Sequence, residues 1–313
     1  MYHPIQFKTT TLPIKYSTGR SPLRRGFFLI SLALTCFVLP PPAQAQLPNL
    51  NSESQPISTI QTTSTALQRW GNGSHRLRRH RRRRRNTLLT GLYAYYKLNE
   101  ASGARALDAG QGARNLVQCN GCGPIGSVPG IFNTARSFPG TAEFIRNTSR
   151  SDFSPRSNHF FVSFWAKAGS LGQREMEMVS KYTSQVGDKE WIVFLDYSTR
   201  KAVFYASSDG ATFTSAYSSI PFANTTTWYF IAAGWDGTNV KISINGGPYA
   251  TASFPGPIFK GSAFFSIGSE NGTLPWIGQI DEMAIWIGRN DLTISDVQQL
   301  YNNGAGLPFS SFH

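Results

Sequence analysis

The sequence predicts an all-β fold over residues 88–313: a two-sheet antiparallel β-sandwich with one short C-terminal helix. Three observations predict it. From Leu92 onward apolar and polar residues alternate with a period of two, interrupted at short intervals by Gly, Ser, Thr and Asn, and that period sends successive side chains to opposite faces of a strand. Asp236-Gly237 and Asn245-Gly246, dipeptides that reach positive φ at little cost, each stand beside alternating runs. Helical periodicity is confined to one segment that follows the last alternating run.

In chain order, strands are expected at residues 92–98, 135–138, 143–145, 160–166, 177–181, 191–196, 202–207, 228–235, 240–244, 263–267 and 278–287. So many short strands fit two stacked sheets in one domain. TTWYFIAAGW, VKISI and PYATASF, joined by the two turn dipeptides, read as a three-stranded meander. The helix follows. Thr293 is its cap, Asp296 stands near its positive end, and Ile294, Val297, Leu300 and Tyr301 form one apolar stripe that Gly304 ends. It is expected against the edge of the sandwich.

The residues before this domain differ in kind. Gly26 to Leu39 is an apolar stretch preceded by Arg24 and Arg25 and followed by three prolines and Ala43-Gln44-Ala45. These are the parts of a secretory signal peptide, assigned to residues 1–45, with an unusually long basic region. The stretch is shorter than the roughly 20 apolar residues a membrane-spanning helix needs. The protein is therefore expected to be secreted or held at the cell surface. Residues 46–87 are expected to be a disordered spacer rich in Ser, Thr, Gln, Asn and Pro, ending in the arginine-rich run RLRRHRRRRR. That run has three readings: a tether to acidic polymers or an anionic membrane surface, a cleavage site for a protease that prefers basic residues, or a solvated charge run.

The formal charge of +13 resides in these N-terminal segments. Residues 86–313 hold 16 Lys/Arg and 16 Asp/Glu, so the folded part is formally neutral and specific nucleic-acid recognition is not expected. Of the three cysteines, Cys36 lies in the leader, leaving Cys119 and Cys122 in CNGCG. In an oxidising compartment a short disulfide loop is the expected outcome. A redox role would need a following helix, which Gly123, Pro124 and Gly126 disfavour, and a zinc site would need a second ligand pair where the domain offers only His159 and His313. Sequons occur at Asn72, Asn147, Asn224 and Asn271, relevant only in a eukaryotic source.

Four segments carry a resemblance. LYAYYKLNEASGARALDAGQGARNLV, FFVSFWAKAG, TTTWYFIAAGWDGTNVKISINGGPYA and WIGQIDEMAIWIGRNDLTISDVQQLYNNGAG span residues 91–306 in order. Together they resemble the laminin-G-like jelly-roll domains of the concanavalin A-like lectin/glucanase superfamily; the last, with its Ile-Asp-Glu strand and helix ending in Leu-Tyr-x-x-Gly, is the most specific. The resemblance implies a jelly-roll sandwich. It also implies a structural calcium ion held by Asp281 and Asp108, with Asn115 and Glu100 behind them, in keeping with the preference of calcium for oxygen ligands. Without an ion, Asp108 is a turn former and Asp281 an exposed strand residue.

Glucanases of the same fold use closely spaced acids on one strand. Glu175 and Glu177 in REMEMVSK are the candidates with that spacing, but the third same-face acid is missing, Val179 and Lys181 standing there instead. The pair is read as a solvated strand face, hydrolysis is not expected, and no catalytic residue is assigned. The expected function is recognition. A glycan-binding module would stack sugars on Trp191, Tyr197, Tyr205 and Trp276; the same rings could be core. A module for adhesion to a cell-surface protein, or for surface assembly, is the alternative.

Overall fold

The computed structural model describes residues 87–101, 104–146, 148–172 and 174–312. The leader, the spacer, the arginine-rich run and the sequons at Asn72 and Asn147 lie outside the described residues.

Two antiparallel sheets of eight strands each face one another. The first contains β1 (Leu92–Tyr96), β4 (Gly126–Pro129), β5 (Thr134–Pro139), β7 (Phe160–Ala168), β12 (Tyr229–Trp235), β13 (Asn239–Ile244), β14 (Ala250–Ser253) and β16 (Ile277–Ile287). Its order is β14-β13-β12-β7-β16-β5-β4, with β1 also paired to β16. The second runs β11 (Thr214–Tyr217), β10 (Ala202–Ala206), β9 (Lys189–Leu195), β8 (Met176–Tyr182), β15 (Phe265–Ile267), β6 (Phe144–Ile145), β3 (Leu116–Gln118) and β2 (Arg105–Ala106). Each of the eleven expected strands is present. The expected meander is β12-β13-β14, and its second turn has Asn245 at φ 51° and Gly246 at φ 69°, the double positive φ that a tight antiparallel hairpin favours.

Alternation explains the layers. On β7, Phe160, Val162, Phe164 and Ala166 point inward, where they meet Met176, Met178, Trp191, Val193 and Phe204 of the second sheet. Phe160 and Trp191 rings pack across the two layers with centroids 4.3 Å apart. Burying each such side chain is worth roughly 1.5–3 kcal/mol.

The opposite phase of the first sheet is apolar too. Phe161, Trp165, Phe230 and Trp286 form a second cluster with Val297 and Leu300 of the helix α1 (Ile294–Tyr301) and with Phe312. The helix thus covers the outer face of the first sheet, not the sandwich edge, because that face carries the large apolar surface. Thr293 and Asp296 form the expected reciprocal cap; the helix ends at Asn302, in the left-handed conformation, before Gly304.

β16 changes neighbours midway. Its first half pairs with β5 and its second with β1, while β7 runs along its other side. An extra residue is accommodated between Asp281 and Ala284 opposite β7, with Glu282 at φ 48°, the kink a β-bulge introduces.

Candidate functional site

Among the described residues no helix covers the corresponding part of the second sheet's outer face. Strand alternation sends Glu177 outward from β8 while Met176 and Met178 go inward. On β9 and β10 it sends Ile192, Phe194, Val203 and Tyr205 outward. The loop of residues 268–276 folds back over this face. Glu177 N–H donates to the Leu274 carbonyl at 2.9 Å, and the Ser180 hydroxyl donates to the Ser269 carbonyl at 2.9 Å. The Asn271 amide donates to the carbonyls of Tyr182 and Phe264 at 3.0 and 3.2 Å, so a glycan on this sequon would break both bonds.

Between loop and sheet lies a cleft of about 240 Å³. Glu175, Glu177 and Glu270 line it together with Tyr182, Phe194 and Tyr205. Phe194 meets Tyr205 edge to face, centroids 4.7 Å apart. Tyr205 stacks nearly parallel on Phe213 at 4.2 Å, and Phe213 is exposed. The rings thus pass from the cleft to the surface, where Lys189 Nζ lies over the Phe213 ring, 5.6 Å from its centroid.

Glu177 is 3 % exposed, and its Oε2 has no hydrogen-bond partner among the described residues. Burial pushes its carboxyl well above the usual range, and the nearby Glu270 carboxyl, within hydrogen-bonding reach, adds to the shift. Burial, Asp196 and Glu270 raise Glu175 in the same direction. Burial, with Glu270 and Glu177 behind it, pushes the Tyr182 phenol up to about 12. The expectation of a solvated acidic strand face at Glu175 and Glu177 is corrected: the 268–276 loop roofs Glu177 and brings Glu270 beside it.

The four aromatic candidates separate. Trp191 and Trp276 are both fully buried and belong to the core, so neither is a platform; Trp191 Nε1 donates to the Phe153 carbonyl at 3.0 Å. Tyr197 is exposed on the β9–β10 turn, where Asp196 accepts from Ser198 and Thr199. Tyr205 lines the cleft. Glu270, Tyr182, Phe194 and Phe213 were not singled out in the sequence, although the phase that sends Trp191 inward sends Phe194 outward.

The proposed calcium ligands form no such cradle. Asp108 accepts from the N–H groups of Tyr95, Gly110 and Arg114 at 2.8–2.9 Å. Asn115 Oδ1 accepts from Asp108 N–H at 2.9 Å and Glu100 Oε1 from Leu107 N–H at 2.7 Å. Asp281 is fully buried rather than exposed, and accepts from the N–H groups of Ile131 and Glu282 at 2.7 and 3.0 Å. Burial, reinforced by Glu282, pushes its carboxyl up to about 8. Most of these oxygens face N–H donors, whereas Glu100 Oε2 is buried with no partner among the described residues; among those residues no three His, Cys, Asp or Glu side chains gather as a metal site. Asp108 instead organises its own loop and Asp281 fastens the 130–133 turn to β16. Cys119 and Cys122 form the expected disulfide. Among the described residues no helix is long and apolar enough to cross a membrane.

Residues 141–291 match the family model described as the concanavalin A-like lectin/glucanases superfamily. No curated protein matches the sequence. Among solved structures, the chain is similar to domain 4 of AbnA, a GH43 extracellular arabinanase from Geobacillus stearothermophilus, in complex with arabinotriose. The identity is 20%, with 69% of this chain and 98% of that one covered and a TM-score of 0.52. It is also similar to the binding domain of Paraclostridial Mosquitocidal Protein 1 (15% identity, 69% and 53% covered, TM-score 0.55) and to that of Botulinum Neurotoxin DC in complex with SialylT (13%, 69% and 52%, 0.52). The chain spans about half the length of the two toxin domains. At these identities the likeness is one of fold.

Proposed function

Because residues 141–291 belong to the concanavalin A-like lectin/glucanases superfamily, we propose that this sandwich is an exported recognition module that binds glycans at a cell or envelope surface. One observation carries the reading: half-buried Tyr205 lies between a carboxyl-lined cleft and the exposed ring of Phe213. Flat rings cover the apolar face of a pyranose while carboxylates accept from its hydroxyls, the mix of apolar lining and few polar groups that small-ligand sites use. The arabinotriose in the arabinanase domain supports glycans as the ligand class. The signal-like leader supports export.

A glycan array probed with the full-length chain tests the reading. A defined glycan class should bind, and Tyr205→Ala should weaken it by about tenfold or more, about 1.4 kcal/mol. A chain that binds no glycan but binds cells or envelope protein would support the adhesion reading instead, for which exposed Tyr197, Tyr217 and Ile220 at the β9–β11 end offer apolar contacts. The arginine-rich run stays a separate proposal: retention on heparin that is lost when residues 76–85 are deleted would support an acidic-polymer tether.

A further inference from the structure

The roofed carboxyls of the cleft ask for more than a hydroxyl. Glu177 and Glu270 are both 3 % exposed, Glu175 joins them in the lining, and among the described residues no Lys or Arg lines the cleft; Lys189 lies outside it, its Nζ 5.6 Å from the centroid of the Phe213 ring. Glu177 Oε2 has no donor among the described residues. A buried carboxylate oxygen without a donor, beside a second carboxyl, is costly unless a proton or a cation enters. An occupant that brings both a hydrogen-bond donor and a positive charge satisfies both needs.

The lining decides which cation. Among the described residues no His/Cys/Asp/Glu group is arranged to hold a metal ion, and Tyr182, Phe194 and Tyr205 occupy the walls where further metal-ligating oxygens would have to stand. Aromatic walls beside carboxylates suit an organic ammonium, whose charge is attracted by ring faces and whose N–H groups bond the carboxylate. The nearly parallel Tyr205–Phe213 stack leads outward from the same cleft, and a flat surface beside an ammonium site fits a sugar ring better than an extended lysine chain.

We infer that the cleft takes the protonated amine of an amino sugar, with Glu177 and Glu270 receiving the ammonium and Tyr205 covering the sugar ring. The inference rests on the glycan reading and gives it a substrate class: polysaccharides with free 2-amino groups.

Calorimetry at about pH 6 on the full-length chain compares three oligosaccharides of equal length: β-1,4-linked glucosamine, its N-acetylated counterpart and a neutral β-1,4-glucan. The glucosamine oligomer should bind about tenfold tighter or better than the other two. Glu177→Gln should erase that preference, and its melting temperature should be unchanged or higher, since it removes a buried unpaired carboxyl. Equal binding of the three sugars, or a preference that survives Glu177→Gln, overturns the inference and leaves the glycan reading standing. Binding of no sugar overturns both. Oligolysine bound more tightly than the glucosamine oligomer would overturn the sugar assignment and point the cleft at a basic protein.

Discussion

Trp191 and Tyr205 sit one register step apart on paired strands, Trp191 opposite Ala206 and Tyr205 opposite Ile192. Strand alternation nevertheless sends them to opposite faces, Trp191 into the core against Phe160 and Tyr205 into the cleft. The two substitutions should therefore separate stability from binding. Trp191→Ala should cost about 3–5 kcal/mol in urea unfolding, the usual loss for a buried large ring. Tyr205→Ala should cost well under half of that while weakening the ligand. A stable Trp191→Ala protein that had lost binding would reverse the assignment of the two faces. In the sequence both residues read as aromatic residues in alternating strands, and nothing local says which phase faces inward. Glu177 was opaque for another reason. Its burial depends on the 268–276 loop, far along the chain, and no spacing around REMEMVSK encodes that roof.

Local pattern was far more informative for elements. Most of the eleven expected strands carry enough alternation to declare themselves, and the short β6 and β15 stood out by their apolar residues, whereas β2, β3, β4 and β11 are two to four residues long and carry no such run. FFVSFWAKA, the sequence of β7, is apolar on both phases. That is the composition of a strand buried on both sides, and it accounts for the helix lying over the outer face rather than at an edge. The helix is short, so its cap matters. The Thr293 hydroxyl accepts from Asp296 N–H at 3.2 Å and Asp296 accepts from Thr293 N–H at 2.9 Å, which fixes the first turn over Trp286 and Phe161. Thr293→Ala should cost about 1 kcal/mol, a fall in melting temperature of about 2–4 °C for a domain this size, and Thr293→Ser should restore it. An unchanged melting temperature in the alanine variant would mean that packing of Val297 and Leu300 alone holds the helix.

For the whole molecule, the formal neutrality of residues 86–313 hides an asymmetry in where the acids sit. Glu143, Glu177, Asp281 and Glu282 are all buried. Desolvation is the largest cause raising each of them, with Asp281 pushed up to about 8 and Glu282 up to about 7. An acid whose carboxyl is raised in the folded state binds more protons there than in the unfolded chain, so stability falls as pH rises between the two values. The penalty is absent below the ordinary carboxylate range and, for Asp281, complete only above about pH 8. Asp196 and Asp236 act in the opposite sense: turn hydrogen bonds together lower them despite their partial burial, and the stability they add is lost only when the pH falls through their depressed values. The two groups of acids place the stability maximum near the bottom of the range in which carboxylates ordinarily titrate. Scanning calorimetry from about pH 5 to about pH 8 should therefore show the melting temperature falling by several degrees, and Glu177→Gln should flatten part of that slope without altering behaviour below it. A melting temperature that rises across this interval would mean the roofed carboxyls are neutralised by partners the folded chain supplies, and the cleft would then have no need of a cationic ligand.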